Sequence, residues 1–187
     1  MKTFLREKLL LEARALSKKV VLEKSKAIGK KLLLLSEWRN ARTVMLYSSF
    51  QSEVQTKELL RKAFVQGKKV CLPCVNNAVM NACAVGSLEE ISVDKNGFAC
   101  GEIVSPLKIG LVVVPGVAFD ESGNRLGRGK GFYDAFLKSV SCEKIGLAFE
   151  LQVVESVPVQ AHDVAVDKII TEKRVLQCVE EKVFAVA

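Results

Sequence analysis

Ile109-Gly-Leu-Val-Val-Val-Pro-Gly-Val-Ala-Phe-Asp120 runs directly into Glu121-Ser-Gly-Asn-Arg-Leu-Gly-Arg-Gly-Lys-Gly-Phe-Tyr-Asp134. Residues 109–114 form a short apolar, β-branched run, the pattern of a strand covered on both faces. Pro115 and Gly116 end it. Gly127, Gly129 and Gly131 then alternate with Arg128 and Lys130, and residues 132–140 place Phe132, Phe136, Leu137 and Val140 on one side of an amphipathic helix. A buried strand leading through a glycine-rich basic loop into a helix start is a phosphate cradle. Small residues let backbone N–H groups approach the oxygens, the helix dipole favours an anion, and fixed cations neutralise it.

Two standard phosphate motifs do not fit this loop. A P-loop ending at Gly129-Lys130 would need Ser or Thr where Gly131 stands and Gly where Asn124 stands. A dinucleotide fingerprint starting at Gly127 would need its third glycine at Phe132. Glycines alone would suit a flexible connector. Arg125, Arg128, Lys130 and Asp134, packed into ten residues beside a buried strand, argue for a site instead.

Around this centre the chain alternates helix and strand. Residues 2–35 are helical in pattern, with a break near Ser17 and a buried stripe through Leu5, Leu9 and Leu16. Residues 43–49 read as a strand, followed by a helix that Thr56 would cap. Gly67 closes that helix; residues 69–72 and 79–85 are strands, the first stopped by Pro73. Residues 144–149 are a buried strand, 150–154 a short helix or turn, 166–171 a final strand and 172–183 a polar-edged helix. Strands separated by helices, with apolar runs of the parallel type, predict a three-layer α/β/α fold. The glycine loop then lies at the carboxyl end of a strand, where open sheets place ligands.

The 187 residues are expected to form one domain spanning 1–187. No apolar run approaches the roughly 18 residues that a membrane helix needs, and the amino terminus shows no signal-peptide core; a cytoplasmic protein with no membrane partner is expected. The net charge of +7 is uneven, because residues 1–42 hold 12 Lys+Arg against 4 Asp+Glu. Such a basic region could meet nucleic acid or an acidic surface, but it holds only two aromatics, Phe4 and Trp38, for stacking on bases, so a solvated helical face is the preferred reading. The six cysteines, Cys71, Cys74, Cys83, Cys100, Cys142 and Cys178, lack the second pair or histidine cluster of a zinc site and read as reduced core residues. The lone His162, beside Asp163, has no Ser or Cys nucleophile motif to serve.

The run P-G-x-A-F-D-x-x-G-x-R-L-G-R-G-K-G-F-Y-D, from Pro115 to Asp134, closely resembles the signature of the 5-formyltetrahydrofolate cyclo-ligase family, also called methenyltetrahydrofolate synthetase. Weaker resemblances reach both ends of the chain. The resemblance implies a mostly parallel sheet of NagB/RpiA/CoA-transferase-like architecture. It also implies ATP-dependent conversion of 5-formyltetrahydrofolate, with or without a polyglutamate tail, to 5,10-methenyltetrahydrofolate with release of ADP and phosphate.

Site residues follow from the same resemblance. Lys2 and Arg6, four apart and ordinary surface charges on their own, become ATP ligands of the K-x-x-x-R type. Arg125, Leu126, Gly127, Arg128, Gly129, Lys130, Gly131, Phe132 and Tyr133 would hold ATP, with Lys130 and Arg128 neutralising the phosphates in catalysis. Residues Arg128 to Phe132 would also line the folate side. The spacing from Tyr47 to Thr56 is similar to the family's folate-binding turn, making Glu53 and Ser48 pocket residues; on its own Glu53 would be a surface charge near a helix start. His162-Asp163 and the later Asp167 resemble H-D-x-x-x-D, so Asp163 joins Asp134 as a magnesium ligand, and Asp167 is structural. Without the resemblance, Asp163 could simply cap a turn. Gly97 to Glu102 departs from the family by lacking the proline of G-x-x-E-P. A non-catalytic binding module of the same fold should lose Lys130 or the aspartates, which this chain keeps. A nucleic-acid binder would use the basic amino-terminal region.

Overall fold

The computed structural model describes residues 2–50, 52–91 and 101–178. Helix α1 (Lys2–Ala15) and helix α2 (Lys18–Leu34) meet at Ser17, whose hydroxyl accepts from the Val20 amide and starts the second helix. The short α3 (Ser36–Asn40) leads to strand β1 (Thr43–Met45), and α4 (Lys57–Val65) connects to β2 (Lys69–Asn76) and β3 (Val79–Val85). After β4 (Ile103–Val104) come β5 (Leu111–Pro115), a hairpin of β6 (Ala118–Phe119) and β7 (Arg125–Leu126), and α5 (Phe132–Leu137). Strands β8 (Glu143–Leu147), β9 (Lys168–Ile170) and β10 (Val175–Gln177) complete the described fold.

Eight strands form one sheet in the order β10-β9-β8-β5-β1-β2-β3-β4. Strands β9, β8, β5, β1 and β2 are mutually parallel; β10 and β3 run antiparallel to them, and β4 pairs antiparallel with β3 at the far edge. The apolar run of β5 does what its composition predicts. Leu111 and Val113 point into the core under α2 and α4, whereas Val112 and Val114 face the opposite core with Phe136 and Leu137 of α5. Both faces are therefore covered, giving the predicted layered α/β fold. In the second core, the Phe119 ring is wedged against β8 at Gly146, where an added Cβ would come within 2.6 Å of the ring. Only glycine admits the ring there.

Several elements differ from the sequence reading. β1 stops at Met45 rather than at residue 49. β2 runs through Pro73 to Asn76, because its pairing with β1 ends at Cys71 and the missing proline N–H interrupts no ladder on that side. α5 ends at Leu137, shorter than expected. Thr56 precedes α4 without capping it; its hydroxyl donates to the Tyr47 carbonyl instead. β9 is not the last strand, since residues 175–177, expected to be helical, pair antiparallel with it as β10. Thr171 makes that reversal, its hydroxyl accepting from the Lys173 and Arg174 amides. The rest of the expected helix, residues 179–183, lies outside the described residues.

The cysteines are also corrected. Cys74 and Cys83 are joined by a disulfide across β2 and β3, with Cα atoms 5.9 Å apart. The register sets Leu72 opposite Cys83 and Cys74 opposite Asn81, so the two cysteines are diagonal neighbours. Cys71, Cys142 and Cys178 are free; burial pushes the thiols of Cys71 and Cys178 up to about 11, and Cys100 lies outside the described residues.

Candidate functional site

The chain leaves β1 toward β2 on one side of the sheet and leaves β5 toward β8 on the other. The carboxyl ends of β1 and β5 thus flank a topological switch point, where α/β sheets open a crevice. A cleft of about 490 Å³ lies there. The segment after β1 contributes Ser48, Phe50 and Glu53, and the segment after β5 contributes the glycine loop. Every site residue singled out from the sequence lines this cleft, including Lys2, Arg6, Asp134 and Asp163 from distant parts of the chain.

Local chemistry explains the convergence. The Asp120 carboxylate, buried at 4% exposure, accepts from the amides of Ser122 (3.1 Å), Asn124 (3.0 Å) and Val157 (2.9 Å) and from the Asn124 side chain (3.0 Å). It closes the β6–β7 hairpin and ties it to the loop carrying Asp163. Leu9 of α1 packs with Val117, Ala118, Leu126 and Val157, so α1 rests on this hairpin. That packing brings Lys2 and Arg6, one helical turn apart, over the glycine loop. Arg6 Nε donates to the Gly127 carbonyl at 2.9 Å. Gly129 sits beside the Arg6 guanidinium with φ +99°, a conformation that side-chain-bearing residues rarely adopt.

Beyond β1, the loop of residues 47–56 closes on itself. The Tyr47 hydroxyl donates to the Val54 carbonyl at 3.0 Å while Thr56 returns a bond to Tyr47. Burial, reinforced by the Glu53 charge, pushes the Tyr47 phenol well above its ordinary pKa, so it acts only as a neutral donor. Glu53 is held from below by the Phe50 amide at 2.9 Å.

Among the described residues, three ion pairs cross the cleft. Lys2 meets Asp163 at 2.7 Å, Arg125 meets Asp134 at 2.8 Å, and Arg128 meets Glu53 at 2.9 Å. Arg125 is buried, lies 5.5 Å from the Tyr133 ring, and has an Nε with no partner among the described residues. A buried guanidinium N–H without an acceptor, in a residue lining an anion-sized cleft, suits a phosphate oxygen. Lys130 is exposed and makes no ion pair among the described residues, its ammonium lying 5.9 Å from the Phe132 ring. Burial alone would raise the Asp163 carboxyl, but the Lys2 ammonium and the Gln160 amide hold it below the ordinary carboxylate value.

Asp134 and Asp163 come from adjoining segments, since the amide of Val164 donates to Asp134 Oδ1 at 3.4 Å. Asp134 Oδ2 carries no hydrogen bond among the described residues, and the nearest partner of Asp163 Oδ1 is His162 at 3.5 Å. Two carboxylates with unused oxygens beside a phosphate loop fit magnesium, which completes its shell with phosphates and water. No group of three or more His, Cys, Asp or Glu side chains among the described residues forms a site that would hold a metal alone. Asp167 is structural as expected, accepting from the Lys144 amide and pairing with its ammonium.

The sequence reading did not place Phe50, Pro73, Gln160 or His162 in the cleft. Phe50 and Gln160 each stand three residues from a predicted ligand, which was the available signal. Arg128, expected on both the phosphate and the folate sides, pairs with Glu53, the residue expected to take the folate.

A parallel-sheet α/β protein with a cationic glycine loop at its switch point belongs to the class that binds phosphorylated ligands at strand ends. The comparisons with known proteins narrow this. The family model of the 5-formyltetrahydrofolate cyclo-ligase family matches residues 1–172, and the chain belongs to that family. It is 32% identical to the mouse 5-formyltetrahydrofolate cyclo-ligase, covering 90% of this chain and 92% of that one. The Haemophilus influenzae 5-formyltetrahydrofolate cyclo-ligase is 36% identical over 71% of this chain and 76% of its own length. The solved Aquifex aeolicus 5,10-methenyltetrahydrofolate synthetase superposes with a TM-score of 0.85 at 35% identity, covering 95% and 92% of the two chains.

Proposed function

We propose that this protein is an enzyme that uses ATP to cyclise 5-formyltetrahydrofolate to 5,10-methenyltetrahydrofolate, releasing ADP and phosphate. Family membership supports the reaction, and one observation carries the assignment of residues. Cations, carboxylates and a glycine loop from four separate chain segments converge on a single cleft at the sheet's switch point.

The chemical problem is a poor leaving group. N10 must attack the formyl carbon, whose oxygen leaves badly until it is phosphorylated and can depart as phosphate. The protein's task is therefore to hold the γ-phosphate in line with the formyl oxygen and to neutralise its charge. Arg125 offers from a buried position an Nε with no partner among the described residues, Lys130 adds a cation that forms no ion pair among them, and the loop amides supply further donors. Lys2 and Arg6 cover the nucleotide from α1. Asp134 and Asp163 would hold magnesium, which when bound draws charge from the phosphates. On the other side, Glu53 accepts from the pterin amino and ring N–H groups, Ser48 lines the same pocket, and Phe132 provides an apolar face. Electrostatic stabilisation of the transferred phosphoryl group is the largest contribution. The substrate's glutamate tail would extend into solvent from the open cleft, and dependence on ATP suits a cytoplasmic enzyme. Among the described residues, no helix is long and apolar enough to cross a membrane.

The test follows methenyl product by absorbance after mixing the protein with 5-formyltetrahydrofolate, with and without ATP and magnesium. Product should form only when all are present. Its absence from the complete mixture would refute the proposal.

A further inference from the structure

Glu53, the expected receptor of the pterin, has its Oε1 fully engaged and one acceptor position left on Oε2, so a fork of two donors finds no open place across both oxygens. Arg128 Nε and Nη2 both donate to its Oε1, at 3.2 and 2.9 Å, and the Phe50 amide donates to Oε2 at 2.9 Å. The guanidinium also lies 5.2 Å from the Phe50 ring. A pterin presents, on its amino and ring N–H edge, a fork of two N–H donors on one carbon. That edge is a cyclic guanidine, and Arg128 offers Glu53 the same fork.

The pair is also built to come apart. The Arg128 side chain is 40% exposed and extends from a glycine-flanked backbone, with Gly127 before it and Gly129 after it. A half-exposed ion pair is weakly held. Once free, the guanidinium remains in the cleft that Arg125 and Lys130 line.

We propose that Arg128 is an internal stand-in for the pterin and a specificity-determining residue. Folate displaces it from Glu53, and the released guanidinium turns to the nucleotide phosphates. A ligand with a single donor cannot replace both bonds, so the exchange favours guanidine-like edges. Folate and nucleotide then reinforce each other's binding, because each engages groups that the other sets free. The inference rests on the folate reading of Glu53 given above.

Two variants test it by equilibrium binding without turnover. Arg128→Met removes the competitor, so 5-formyltetrahydrofolate without nucleotide should bind about two- to fivefold more tightly, the range of a half-exposed pair. Glu53→Gln releases Arg128 without folate, so a non-hydrolysable ATP analogue with magnesium should bind tighter by a similar factor. In the wild type the analogue should tighten folate binding, and Arg128→Met should abolish that reinforcement. Unchanged or weaker folate binding by Arg128→Met, alongside normal wild-type binding, would overturn the exchange alone. So would unchanged analogue affinity in Glu53→Gln. If neither wild type nor Arg128→Met binds 5-formyltetrahydrofolate, the folate reading itself fails and the inference with it.

Discussion

Arg125 on β7 and Arg128 on the loop that follows stand three residues apart and each meets a carboxylate, at 2.8 and 2.9 Å, yet burial gives them different work. The Arg125 side chain is 3% exposed, and its partner Asp134 sits at the start of the helix that ends the loop. Breaking that pair leaves a charge in a poorly hydrated place. The Arg128 side chain is 40% exposed, and water can replace Glu53 around it. The same chemistry is structural in one position and exchangeable in the other. Solvent access, rather than the distance within the pair, separates a scaffold from a switch.

The sharpest way to break this comparison is to truncate both arginines and measure unfolding in urea. Arg125→Met should destabilise the protein by about 2–4 kcal/mol, because the guanidinium it removes is buried against Asp134 and the Tyr133 ring where water cannot take its place; the two carboxylates left behind, Asp134 and Glu53, are similarly exposed at 16 and 18%. Arg128→Met should cost less than about 1 kcal/mol. Similar losses would show that the two pairs do not differ in kind.

Lys130 sharpens the contrast from a third direction, since among the described residues it has no carboxylate to leave before it meets a phosphate. Lys130→Ala should lower turnover more than about tenfold, worth about 1.4 kcal/mol in the transition state, with the unfolding midpoint unchanged. Wild-type kinetics in this variant would remove the glycine loop from the chemistry.

Much of this was legible in the sequence because the decisive residues lie close together. The strand, the alternating glycines and the charges Arg125, Arg128, Lys130 and Asp134 all fall within residues 109–134, and periodicity and turn chemistry read such a span directly. The pairing partners were not legible. Arg128 and Glu53 are 75 residues apart, and Lys2 and Asp163 are 161 apart, so only the sheet order brings them together. β10 escaped for another reason. Its three residues form an exposed edge too short to show a period of two, while the surrounding charges imitate a helical face. The Cys74–Cys83 bond needed the hairpin register, which the C-x-x-C spacing of Cys71 and Cys74 obscured.

The comparison extends to the substrates. Arg6 touches the loop carbonyl at Gly127, and Glu53 faces Arg128 across the cleft. Arg6→Ala should raise the KM for ATP about fivefold with little change for folate, whereas Glu53→Ala should raise the KM for folate about fivefold and, by freeing Arg128, lower rather than raise that for ATP. Steady-state kinetics with each substrate varied in turn would read the split. Equal effects on both substrates would mean that the cleft has no separate sides.

The smallest effect expected is at Asp163, where two roles overlap in one side chain. Oδ2 accepts from the Gln160 amide at 2.8 Å, which fixes the turn, and from Lys2 at 2.7 Å. Asparagine keeps one acceptor oxygen and can preserve the turn, but it removes the negative charge that a magnesium ion and Lys2 both require. If Asp163 shares magnesium with Asp134, Asp163→Asn should shift the magnesium activation curve to about threefold higher concentration, a fraction of the cost of a lost metal ligand because Asp134 and the phosphates remain. Folate binding without ATP should not move, since Glu53 and Ser48 belong to the other segment of the cleft. Loss of the Lys2 pair alone would weaken ATP at every magnesium concentration without displacing the midpoint at saturating ATP. A titration at saturating ATP that overlays the wild-type curve would therefore leave Asp163 as the residue that holds Lys2 and the turn, and would assign the metal to Asp134 without it.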